Sequence, residues 1–189
     1  MGVQELEQAI ASTRGVLQNV SKDQLDDATP CQSWDVRAVV NHIVGGSYWF
    51  AASTNAGVSP EDGREPTDYA DGDIVAAFDE GARKAVAAFS APGAMEKTIK
   101  LPFGEFPGAA FCALATTDTF THGWDVAKAT GQSTDLAPAL AAELLVGARA
   151  SIPDQFRGPD GAAPFGAQVE PPASASEADK LAAFLGRTV

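Results

Sequence analysis

The sequence predicts an all-α fold: a four-helix bundle with a long crossover and additional short helices at the C-terminal end. Three observations carry this expectation. Apolar residues recur at steps of three and four in four separate stretches, the period of helices with one buried face. Clusters of Gly, Pro, Asp and Ser separate those stretches. Period-two alternation occurs once, over only six residues. At 189 residues the chain is long enough for a substantial core, and residues 1–189 read as a single domain.

Residues 3–20 form the first amphipathic pattern, with Val3, Leu6, Ile10, Thr13, Leu17 and Val20 on one face. A polar connection runs from Ser21 to Pro30, and Ser33 is placed to cap the second helix, expected from about Trp34 to Ala52 with Asp35 in its first turn. Its stripe is Val36, Val39, Val40, Ile43, Ser47 and Phe50; His42 lies on the flank of that stripe. Gly45-Gly46 in mid-helix costs roughly 1 kcal/mol per Gly relative to Ala, which implies a packing or access reason. Gly46, one turn beyond His42, leaves space above the imidazole.

Residues 53–71 carry no periodic apolar pattern and read as a long crossover or lid that could shape a pocket mouth. A third helix is expected from Asp73 to Ser90, with Ile74, Phe78, Ala82, Ala85 and Phe89 facing inward. Glu96–Leu101 alternates and reads as a short extended segment. Pro102–Pro107 reads as a turn-rich entry, with Pro107 in the first turn of a fourth helix spanning 107–130. Asp135 is a candidate cap for a fifth helix from Leu136 to Ser151. Ser176-x-x-Asp179 resembles a capping box for a short last helix ended by Gly186.

Composition narrows the function. The net charge is −12 and the pI about 4.4, which argues against nucleic acid or an anionic membrane as a partner held by bulk charge. The first residues lack a basic segment followed by an apolar run, and no apolar stretch approaches the roughly 20 residues that span a bilayer. The two cysteines, Cys31 and Cys112, make no secreted disulfide framework. A cytoplasmic protein is the expectation.

The chemistry-bearing stretch is Asp118-Thr-Phe-Thr-His122-Gly-Trp-Asp125. Positions 111, 115, 118, 122, 125 and 129 recur at alternating steps of four and three. Two Asp and a His therefore occupy a core stripe where Leu or Ile would be expected. A buried carboxylate without a partner is costly, so these side chains require one. A metal ion is the simplest candidate. Asp118 and His122, four apart, stand about 5–6 Å from each other at Cβ on one helix face. His42 is the one other histidine, and it meets them if the second and fourth helices pack side by side. The expected ligands are His42, Asp118 and His122, with open positions for water or substrate. Asp125 is the alternative carboxylate, or else a supporting partner. Each residue also has a plain structural reading: a hydrogen-bonded core histidine, or an aspartate paired with an arginine. Cys31 and Cys112 read first as small buried side chains, and Trp34, Trp49 and Trp124 as packing residues, with Trp49 also a candidate for lining a pocket.

The segments Thr29-Pro-Cys-x-x-Trp34-x-Val36-Arg37, Val40-Asn41-His42-Ile-Val-Gly-Gly and Asp118-x-x-x-His122-Gly-Trp-Asp125-Val-Ala-Lys-Ala-Thr-Gly-Gln132, with the tail Leu181–Arg187, resemble the DinB-like superfamily. The likeness is to its actinobacterial branch, related to the metal-binding N-terminal domain of mycothiol-dependent maleylpyruvate isomerase. The resemblance implies a four-helix bundle with a long crossover and a divalent ion, zinc or nickel, at His42, Asp118 and His122. It also implies a low-molecular-weight thiol such as mycothiol as cosubstrate of a transferase or isomerase. The isomerase has Glu where this chain has the shorter Asp118, and the chain ends soon after the bundle, so isomerisation of maleylpyruvate itself is not implied. The rival readings are a non-catalytic metal-binding or stress-related module of the same fold and a non-haem iron oxygenase. A homodimer is a further expectation.

Overall fold

The computed structural model describes residues 1–60, 67–159 and 162–189. The described residues form six α-helices: α1 (Val3–Leu17), α2 (Val36–Ala56), α3 (Ile74–Phe89), α4 (Gly108–Ala129), α5 (Pro138–Ser151) and α6 (Glu177–Phe184). Between α3 and α4 lie β1 (Thr98–Leu101) and β2 (Gly104–Pro107), an antiparallel pair in which Thr98 faces Pro107 and Leu101 faces Gly104. The fold is thus mostly helical with a small two-stranded sheet. The all-α expectation roughly fits; what differs is the turn-rich entry at Pro102–Pro107, whose last four residues form β2, with Gly104 at φ 144° closing a tight hairpin.

The ends of α2 show how local chemistry sets boundaries. Asp35, not Ser33, is its N-cap, its carboxylate accepting a hydrogen bond from the Ala38 N–H at 2.8 Å. The helix runs four residues past the expected end, to Ala56, and stops at Gly57 in the left-handed conformation. α5 likewise starts at Pro138, not Leu136, with Ala137 rather than Asp135 at its N-cap. α3 begins after Asp73, which caps it, and α6 has the expected capping box between Ser176 and Asp179.

The long helices pack α1 on α4 and α2 on α3, with α2 also against α4 and α1 against α3. Gly123 makes the first of these contacts possible, since a side chain there would overlap Thr13. Thr13 in turn donates its hydroxyl to the Thr119 carbonyl at 2.9 Å. α5 and α6 form a second layer, with α6 on α4. At the hairpin end, Phe50, Phe89, Ile99 and Phe111 form one core cluster; Val36, Val40, Phe78 and Val126 belong to another.

The crossover between α2 and α3 is anchored at both ends. Past Gly57 the Ser59 N–H donates to the Lys100 carbonyl at 2.8 Å, joining it to β1. Before α3, Asn41 accepts from the Ala70 N–H and donates to Asp68, each at 3.0 Å, and Arg37 pairs with Asp68 at 2.6 Å. The segment 67–72 therefore lies along α2 beside His42, with the Tyr69 ring against Gly45. Of the predicted lid, residues 61–66 lie outside the described residues.

Candidate metal centre

The stripe of α4 and the flank of α2 meet as their spacing requires. His42 Nε2 lies 3.2 Å from Asp118 Oδ1, and His122 Nε2 lies 3.7 Å from the same oxygen. One ligand atom from each of the three residues falls within 4.8 Å of the other two. Two ligands held 2.0–2.2 Å from a tetrahedral ion stand roughly 3.3–3.5 Å apart, so this donor set fits a divalent metal. Short as its side chain is, Asp118 already brings one oxygen near both imidazoles. The side chains of His42, Asp118 and His122 are 35%, 23% and 11% exposed. The cluster therefore opens outward, as a site with free positions requires.

Electrostatics follows the same geometry. Burial disfavours the imidazolium of His42, but the charge and hydrogen bond of Asp118, with Asp125 behind, outweigh it and raise its pKa above the usual histidine value. Burial likewise opposes the charge on Asp118, and His42, His122 and Arg187 together still hold its pKa below the ordinary aspartate value.

On the inner side of His122 the arrangement differs. Asp125 is fully buried and accepts from three donors: His122 Nδ1 at 3.0 Å, Arg187 Nε at 3.2 Å and Arg187 Nη2 at 3.1 Å. Its pKa is lowered despite burial by the His122 hydrogen bond and the Arg187 charge. An ionised carboxylate can only accept, so Nδ1 of His122 carries the proton and Nε2 is left to face Asp118. Cys31 joins His122 and Asp125 in a second group of donors within 4.8 Å. Both oxygens of Asp125 are already gripped by the guanidinium, whose charge repels a cation there. Asp125 therefore holds His122 from behind, on the side away from Asp118.

Trp34 completes the wall. Its ring lies 4.7 Å from that of His42 and 5.5 Å from that of His122, tilted by about 40° against each (39° and 41°). Sequence reasoning took Trp34 as packing and considered Trp49 for the pocket. Trp49 instead packs on Phe50 and Phe111 and donates to Ser59 Oγ at 3.1 Å. Trp124 is core, its indole N–H bonded to Asp179 at 2.9 Å, and Cys112 is core with its thiol pKa pushed up by burial to about 11. Cys31 is half-buried beside His122. Arg187 went unread as a site residue; its spacing from Asp125 exposes no pattern, and the tail motif around it was the one signal.

Residues 6–127 match the family described as Mycothiol maleylpyruvate isomerase N-terminal domain. Two curated relatives are the uncharacterized proteins MT0763 and Rv0738 of Mycobacterium tuberculosis, from strains CDC 1551 / Oshkosh and ATCC 25618 / H37Rv. Each is 47% identical over 178 residues, covering 92% of this chain and 91% of the relative. No solved structure matches the chain. His42 on α2 and Asp118 and His122 on α4 all fall inside the matched span, and the chain belongs to the mycothiol maleylpyruvate isomerase N-terminal domain family.

Proposed function

We propose that the protein binds one divalent metal ion, zinc or nickel, through His42, Asp118 and His122. The open side would take a low-molecular-weight thiol, mycothiol in the first instance, as cosubstrate of a transferase or isomerase acting on a small electrophile. The observation that supports this reading is the convergence of two imidazoles and one carboxylate on a partly exposed point, each donor delivered by a rigid helix. When bound, such an ion supplies Lewis acidity and lowers the pKa of a thiol that coordinates it.

The chain's own residues prepare that chemistry. Asp125 holds the Nδ1 proton of His122, which keeps the lone pair of Nε2 on the open side. Asp118 supplies the negative charge that offsets a divalent cation. Trp34 covers both imidazoles and limits water on that flank. Gly46 keeps space next to Asp118: a Cβ there would stand 3.9 Å from Oδ2. The helix pairing described above is consistent with the four-helix bundle and long crossover of the proposed fold. We further propose a single domain working in the reducing cytoplasm, where low-molecular-weight thiols are kept reduced. No described helix is long and apolar enough to cross a membrane.

Elemental analysis of protein purified without a chelating column tests the metal assignment. About one equivalent per chain is expected in the native protein and none in His122→Ala; full occupancy in that variant refutes the ligand set. Turnover of metal-loaded protein with the thiol and a panel of electrophiles then separates an enzyme from a binding module.

A further inference from the structure

We infer that Arg187, which lies 62 residues beyond Asp125 and outside the span matched by the family, is a positioning residue of the metal site: through Asp125 it fixes the ring of His122. The inference rests on the proposed ligand set, and its test is built to fail separately from that reading.

Three features carry it. The Arg187 fork engages both oxygens of Asp125, Nε to Oδ1 at 3.2 Å and Nη2 to Oδ2 at 3.1 Å. This bidentate grip leaves the carboxylate one orientation. Oδ2 is also the oxygen that receives His122 Nδ1 at 3.0 Å. A flip of the imidazole would break that bond and carry Nε2 away from Asp118. The guanidinium itself is delivered by a built turn. At the end of α6 the Arg187 N–H donates to the Ala182 carbonyl at 2.9 Å and the Gly186 N–H to Ala183 at 3.0 Å. Gly186 is left-handed at φ 94° and packs against the backbone of Gly166 so closely that no side chain fits. This is the Schellman pattern. Nη1 of Arg187 then donates to the Leu185 carbonyl at 3.1 Å, which holds the side chain in its inward course. The fold therefore spends a helix ending on placing this one guanidinium against one carboxylate.

The test uses the full chain with zinc as the probe ion. Arg187→Met should weaken zinc binding about 10- to 100-fold, the range for losing a group that orients a metal-bound histidine. Arg187→Lys, which keeps the charge and loses the fork, should recover part of the loss and remains informative if the Met variant does not fold. Leu181→Ala loosens α6 without touching Asp125 and should leave zinc affinity of the folded protein within about twofold; an equal loss there means general loosening and overturns the inference. Nitrogen NMR of the metal-free protein at about pH 9, where an ordinary imidazole is neutral, gives the reading that needs no metal. Native His122 should be protonated at Nδ1, and both Arg187 variants should mix the two tautomers. Unchanged zinc affinity together with an unchanged tautomer in the variants refutes the role of Arg187. Native protein that ignores zinc while the tautomer still depends on Arg187 refutes the metal assignment and leaves the orienting contact standing.

Discussion

Asp118 and Asp125 sit seven residues apart on one stripe of α4, on either side of the same histidine, yet they live in different surroundings. Asp118 is 23% exposed and faces two imidazoles. Asp125 is fully buried and faces a guanidinium. An arginine is charged at every working pH, so Asp125 carries its counter-ion within the chain. An imidazole, unlike a guanidinium, can give up its proton and keep a lone pair, so Asp118 has partners that can share it with an added cation. What distinguishes the proposed ligand from the proposed support is therefore not the residue type or its helix position. It is the charge that the rest of the fold places opposite.

Removing each carboxylate in turn is the most direct way to break this contrast, and the largest effect falls on the inner one. Asp125→Ala leaves the Arg187 guanidinium buried without its partner, which costs about 3–5 kcal/mol. Urea unfolding of the metal-free protein should show that loss. Asp118→Ala should cost about 1 kcal/mol or less in the same experiment, the scale of one partly exposed hydrogen bond, and should abolish metal uptake. Equal destabilisation by the two substitutions would remove the distinction.

The next effect in size concerns how the guanidinium is delivered. Gly186→Ala forces a Cβ into a left-handed residue, about 1–2 kcal/mol, and into the Gly166 backbone, about 1–3 kcal/mol more. Thermal or chemical unfolding should show a total of about 2–5 kcal/mol. A neutral result would mean that the turn carrying Arg187 is not required for the fold.

These residues also mark how much the sequence could disclose. The meeting of His42, Asp118 and His122 was legible because polar residues at helical spacing interrupt a core stripe, and a chain with two histidines leaves few ways to gather such a cluster. The helices were legible from their period, their caps less so: Asp35 and Ser33 are both good caps, and the Asp35–Ala38 bond decides between them. The hairpin was half seen, since β2 carries Gly and Pro and lacks alternation. Arg187 and Trp34 were hidden for one reason. Each reaches the site through a contact distant in sequence, made by residues outside any regular helix, and no local periodicity encodes such a contact.

Titration probes the two carboxylates more gently. The raised pKa of His42, which Asp118 sustains against the opposing effect of burial, means that its contribution to stability is complete below the unfolded value of about 6.5 and is lost as pH rises through the folded value. The lowered pKa values of Asp118 and Asp125 act in the opposite sense: their contribution is present above the unfolded value of about 3.9 and is lost as pH falls through the folded values. Metal-free protein should thus soften on both sides of mildly acidic pH. The neutral-side decline should be modest, because His42 is about a third exposed and solvent screens it. Asp118→Asn should flatten that neutral limb and leave an acid limb, whereas Asp125→Asn should reduce the acid limb. Melting curves of the metal-free variants across pH check this assignment; zinc should invert the neutral trend in native protein, because binding requires deprotonated imidazoles.

The smallest effect comes from the glycine on the outer side. Gly46 lies in the middle of α2, where Ala is favoured by about 1 kcal/mol. A Cβ there would meet Asp118 Oδ2 and the Phe50 ring at 3.9 Å each, ordinary contact distance. Nothing in the metal-free fold then requires Gly, and Gly46→Ala should stabilise it by up to about 1 kcal/mol in urea unfolding, the reverse of Gly186→Ala. The methyl group would stand over the oxygen on the open side of Asp118. It should leave zinc affinity within about twofold, since the ligand atoms are untouched, and should weaken calorimetric binding of the thiol to zinc-loaded protein. Glycine near Arg187 is needed by the backbone; on the proposed reading, glycine near Asp118 is needed by the thiol that enters the site. If Gly46→Ala binds thiol as tightly as the native protein does, the space above Asp118 is not the entry, and the thiol must approach from the Trp34 side.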